Sequence, residues 1–211
     1  MSKIRVPLFV LLVLAVPACG SNLSVPAPLL TDTFSGTFPA PNWTTPATTG
    51  TGTTTQITGG VLAFTATVQP SSSTTSTVAS FNNPGVSFQV QAAATGAGAK
   101  PGIATIEILD HTSAVVASVS WDAGAGTIAY SIAGSLLTPA VAPPPADGTF
   151  TAFRFSVDSM GTASWSHNNV LLATKASFPA GLLTLRLGAT WSSGAAPFAE
   201  IDFDNVTVTN P

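Results

Sequence analysis

The 211-residue sequence predicts an all-β protein whose strands pack as a sandwich or close as a barrel, and three observations carry that prediction. The last stretch, AEIDFDNVTVT at 199–209, alternates acidic and apolar side chains with period two, as a half-buried strand does. From residue 61 onward, short apolar runs are separated by turn-forming clusters at regular intervals. Only 7% of the chain is charged; its polarity comes from Thr, Ser, Gly, Asn and Gln, and 18 Gly and 17 Pro punctuate it. About a dozen short strands without helices must close or pack on one another, because a sheet of that size does not stay open and twisted.

The N-terminus reads as a targeting segment. Lys3 and Arg5 precede an apolar run at 7–16, ten residues where a membrane-spanning helix needs about 20. VPAC, ending at Cys19, resembles the bacterial lipobox, which implies an acylated Cys19 as the mature N-terminus. The alternative is an ordinary secretory signal cleaved after Ala18. The expected division is a signal peptide at 1–18, an acylated Cys19 with a Ser/Pro tether at 19–30, and one domain at 31–210. Gly20 rather than Asp follows the cysteine, so outer-membrane placement is expected in a diderm. With the only cysteine acylated, core burial alone must hold the domain.

Within the domain a first strand is expected at 31–34, then Trp43 and a Thr/Gly-rich surface loop at 44–58. Strands follow at 61–68, 74–81 and 85–93; in the last, Val86, Phe88 and Val90 oppose Ser87, Gln89 and Gln91. Hairpins are expected from 103–109, 114–121 and 127–133, turning at 110–113 and 122–126. A proline-rich loop at 139–145 lacks ladder donors. A meander over 151–176 turns at 158–161 and 167–169, and strands at 182–189 and 199–209 bring the count to 11–13. In the closing strand, Ile201 and Phe203 share one parity and Val206 and Val208 the other. Keeping all four in the core requires a β-bulge near Asp204 and Asn205, or a strand covered on both sides.

The D-x-F near the N-terminus followed by Trp43, the VDSxGxxxW…NNVLL meander and the closing FDNVxV strand resemble the concanavalin A-like lectin/glucanase jelly rolls, laminin G-like modules included. The resemblance implies a two-sheet antiparallel jelly roll. It also directs attention to Glu200, Asp202 and Asp204, since E-I-D-F-D is similar to the E-x-D-x-x-E signature of family 16 glycoside hydrolases. The last acid arrives one residue early, on the final strand, and a bulge would disturb the shared face. A solvated acidic face is the competing reading. The resemblance implies a structural calcium as well, for which Asp32 and Asp204, in the two terminal strands, are the candidates.

Parity places Trp121, Tyr130, Trp165 and Trp191 in the core, leaving Trp43 outside the rule, and it puts His111 and His167 in turns. Gln89, Glu107, Arg154 and Arg186 should point away from the core. They could line one groove that hydrogen-bonds sugar hydroxyls, or could form ion pairs. Splitting them between sheets would remove that groove and favour a structural role. The leading expectation is a non-catalytic envelope lipoprotein module that binds carbohydrate or another surface polymer. A structural or adhesive protein and a glycoside hydrolase are the rivals. With a net charge of −3 and no basic stripe, nucleic acid is not an expected partner.

Overall fold

The computed structural model describes residues 27–68, 70–95, 102–122, 124–137, 146–192 and 200–210; Cys19, the signal segment and the proline-rich loop lie outside them. Sixteen strands are present among the described residues: β1 Leu30–Asp32, β2 Ala47–Thr49, β3 Thr53–Thr58, β4 Val61–Ala66, β5 Ser71–Ser76, β6 Phe81–Asn83, β7 Val86–Thr95, β8 Gly102–Leu109, β9 Val115–Asp122, β10 Thr127–Ile132, β11 Ser135–Leu137, β12 Thr151–Val157, β13 Ala163–His167, β14 Val170–Lys175, β15 Gly181–Trp191 and β16 Glu200–Thr209. They form two eight-stranded antiparallel sheets. The first runs β14-β13-β12-β7-β16-β4-β3, with β1 also on β16; the second runs β11-β10-β9-β8-β15-β5-β2, with β6 also on β15.

Between the sheets lies a single apolar layer. Phe64 meets Phe203 edge-on at 5.6 Å, and Phe155 packs on Trp165 at 5.1 Å and on Phe178 at 5.5 Å. Trp121, Tyr130, Trp165 and Trp191 are buried as their parity implied. Trp43 is buried too, as a plug: its ring lies 5.5 Å from Phe34 and its indole N–H donates to Asp32 Oδ2 at 2.9 Å.

β16 contains the expected bulge. Asp204 pairs with Gln91 but Thr207 with Gln89, so three steps on β16 span two on β7, and Asn205 takes φ 48°. The extra residue returns Val206 and Val208 to the core side already holding Ile201 and Phe203, and all four are buried.

Four strands were not expected from the sequence. The stretch at 44–58 supplies β2 and β3, 74–81 divides into β5 and β6, and β11 follows β10. β5 also begins earlier, inside the expected loop, because its core-facing residues are hydroxylic. Ser71, Ser73 and Thr75 are buried without apolar periodicity. Ser71 Oγ donates to Val68 O at 2.7 Å, Ser73 Oγ bonds Thr55 Oγ1 across the sandwich at 2.6 Å, and Thr75 Oγ1 donates to Thr44 O at 2.7 Å. Satisfied hydroxyls can occupy core positions that a hydrophobicity pattern assigns to loops.

Candidate functional site

The groove expected from Gln89, Glu107, Arg154 and Arg186 does not exist as one site, an outcome that by the criterion given above counts toward a structural or adhesive role. Arg154 and Gln89 are cross-strand partners on β12 and β7, whereas Arg186 and Glu107 are cross-strand partners on β15 and β8, in the opposite sheet. Parity correctly turned all four away from the core, but it carries no information on which sheet receives them. The two halves also behave differently. Arg154 Nε–H donates to Ser87 Oγ at 2.7 Å, laying the guanidinium toward the small-residue row Ser164, Ser156, Ser87 and Thr209. Arg186 Nε–H instead meets Glu107 Oε2 at 2.6 Å, within its own row.

Beside that second pair runs a lane of small side chains, its central Gly188 buried between Thr74 and Thr105. Register aligns Ala129, Ser120, Thr105, Gly188, Thr74 and Ala47 across six strands on the outer face of the second sheet. Five strand spacings of about 4.8 Å make this lane about 24 Å long, with no side chain larger than threonine. Gly188 is its midpoint, and a Cβ there would lie 2.7 Å from Thr74 Cγ2 and 2.9 Å from Thr105 Oγ1. Along one side runs the row Ser131, Ser118, Glu107, Arg186 and Ser76, with Ser118 and Ser131 joined at 2.7 Å. The Arg186 and Glu107 side chains are 28% and 20% exposed, accessible yet held in place by each other. A carboxylate that accepts and a guanidinium that donates, side by side on rigid strands, suit a vicinal diol.

On the first sheet, Glu200, Asp202 and Asp204 share the outer face, because the bulge begins only after Asp204. The expected disturbance of that face therefore does not occur. Asp204 accepts from Asn205 N–H at 2.7 Å and from Asn205 Nδ2 at 2.9 Å, and Asn205 Nδ2 also donates to Gln91 Oε1 at 2.9 Å. Asp202 is 7% exposed between Ala93 and Ala63, and its Oδ1 has no hydrogen-bond partner. Burial, and then the neighbouring Glu200, push its carboxyl up to about 7.

The calcium candidates do not converge. Asp32 pairs with core-facing Val206 and turns inward, accepting from Phe34 N–H at 2.7 Å and from the Trp43 indole, whereas Asp204 turns outward. Two carboxylates on opposite faces cannot share an ion, and no group of three metal-ligating side chains forms among the described residues. His167 is not a turn residue. It ends β13, buried and stacked on Phe153 at 4.9 Å, bonded to the Thr151 hydroxyl and held below its ordinary pKa by burial. The turn itself is Asn168 and Asn169, at φ 47° and 65°. His111 does lie in the β8–β9 turn, exposed.

No family model and no curated protein matches the chain. Solved structures do. The carbohydrate recognition domain of Emp47p superposes with TM-score 0.60 at 11% identity, over 81% of this chain and 89% of that one. A Bacillus subtilis protein of unknown function with a galectin-like fold gives 0.63 at 10%, over 88% and 97%. The laminarinase from Rhodothermus marinus gives 0.63 at 15%, over 86% and 96%. The fold is a galectin-like, concanavalin-like jelly roll. At such identities the likeness is one of fold, and within this jelly roll it is the register, rather than shared motifs, that distinguishes the lane on the second sheet from the acidic strand on the first.

Proposed function

We propose that this jelly roll is a non-catalytic module of a cell-envelope lipoprotein, anchored through Cys19, that binds a surface glycan. The binding face is the outer side of the second sheet, with Glu107 and Arg186 as its hydrogen-bonding centre. One observation carries the reading: a lane of small side chains crosses six strands beside a preformed, partly exposed Glu107–Arg186 pair. An extended sugar chain needs such a flat, polar, rigid bed. All four tryptophans are buried, so affinity would rest on hydrogen bonds more than on ring stacking. Individual sites would be weak, and a lipid-anchored array would add avidity.

A glycan-binding screen on the purified protein tests this. Arg186→Ala should reduce binding about tenfold, the loss of one charged hydrogen bond, with the melt retained. Gly188→Leu, which fills the lane, should abolish it. Binding that survives both substitutions would remove the second sheet from the account. The Glu200 and Asp202 pair supports a second reading, a glycan hydrolase, because one carboxyl kept protonated beside another is the requirement for general acid catalysis. Release of reducing ends from polysaccharide, lost in Glu200→Gln, would favour it.

A further inference from the structure

We propose that the cavity beside the β8–β9 turn is a subsite for an acetamido group, so that the glycan bound by the module carries N-acetylated amino sugars; the assignment rests on the glycan-binding reading. The cavity holds about 110 Å³ and is walled by Val116, Phe178, Leu182 and Leu183, with Asp110 and His111 at its rim. Leu182 shares the outer parity of Arg186 on β15, four residues and about 13 Å along. Leu183 and Phe178 instead belong to the core between the sheets and Val116 packs against it, so the cavity sits at the end of the sandwich, at the edge of the second sheet's outer face.

Size and chemistry select the occupant. The volume admits a small substituent of several heavy atoms, and an acetamido group is of that size. The walls are apolar and suit a methyl. The rim offers one fixed acceptor and one imidazole, matching an amide N–H and its carbonyl. Asp110 Oδ1 is pinned by Thr112 N–H at 2.8 Å, the Thr112 hydroxyl at 2.6 Å and Ala114 N–H at 3.0 Å, contacts that do not use Oδ2. Those contacts, the Thr112 hydroxyl foremost, hold the carboxyl below its ordinary pKa, so it accepts throughout the neutral range. A hydroxymethyl group has no methyl to place against Leu183 and Phe178. A free amine has no methyl to bury.

Saturation-transfer NMR with N-acetylglucosamine, glucosamine and glucose as probes is the direct test. N-acetylglucosamine should bind with its methyl protons the most strongly saturated, and the other two should bind at least about tenfold more weakly. Asp110→Asn keeps an oxygen for the three turn contacts and replaces the second with a donor. It should lower N-acetylglucosamine binding about tenfold, with at most a small drop in the melt from the lost charge. Ala180→Trp, at the exposed mouth, should block it without touching Asp110. Equal binding of the three sugars, or undiminished binding in both variants, would overturn the subsite. Polysaccharide binding indifferent to acetylation would sink the subsite alone, and binding to no glycan at all would sink the parent reading with it.

Discussion

Asp202 is the residue whose chemistry departs furthest from its surroundings. It sits on the outer face yet is buried between two alanine methyls, with Glu200 as its charged neighbour. The folded state holds its proton to about pH 7, whereas an unfolded chain releases it near 3.8. The folded state therefore binds more protons across that window, and stability falls as pH rises from about 4 to 7, then levels. Melting temperature against pH should show this decline, and Asp202→Asn should flatten it and melt higher than wild type at pH 8. Phe203, two strand steps from the bulge, is fully buried against Phe64. Phe203→Ala should cost about 3–5 kcal/mol in urea titration, and a cost below about 1 kcal/mol would mean the ring is not core.

At the scale of elements, β16 organises the first sheet. β7 flanks it along one side, while β4 and β1 share the other, so both ends of the domain close on it. Its bulge depends on Asn205 occupying the left-handed region, which Asn and Gly tolerate and β-branched residues do not. Asn205→Val should destabilise by about 1–2 kcal/mol more than Asn205→Gly, since both lose the bond to Gln91 but only valine adds strain. Equal losses would show that the hydrogen bond, rather than backbone conformation, sets the bulge. The Asn168–Asn169 hairpin uses the same tolerance twice, joining β13 to β14 with two left-handed residues.

At the scale of the whole molecule, a lipid at Cys19 would leave the 31–210 domain held by core burial and display one binding face in high local density. Expressed in a bacterium, the full chain should partition into detergent, and Cys19→Ser should release it or leave it unprocessed. An unmodified mature N-terminus by mass spectrometry would overturn the anchor. On the proposed face Glu107 is paired with Arg186 and Asp122 flanks the lane on its other side, whereas the first sheet gathers three acids on one strand with Arg154 on the same face. Binding on the second face should therefore depend little on salt.

Period-two alternation made the all-β class, the inward aromatics and the β16 bulge legible, because facing is a local property: one residue's side follows from its neighbour's. The jelly-roll resemblance rested on short motifs, and the two-sheet architecture agrees with it. The strand β3 and the start of β5 were hidden, because Thr55 and Ser73, bonded to each other across the core, look in sequence like loop residues, while β2 is exposed throughout and shows no alternation to read. The site was only half legible. Polarity and parity found Glu107 and Arg186, but their pairing, and their separation from Gln89 and Arg154, follow from strand order. Glu107 and Arg186 lie 79 residues apart in sequence, and only the β8–β15 register brings them to 2.6 Å. The lane through Gly188 is assembled from six strands, none of which shows it alone, because a row across a sheet is a property of register and not of any one segment.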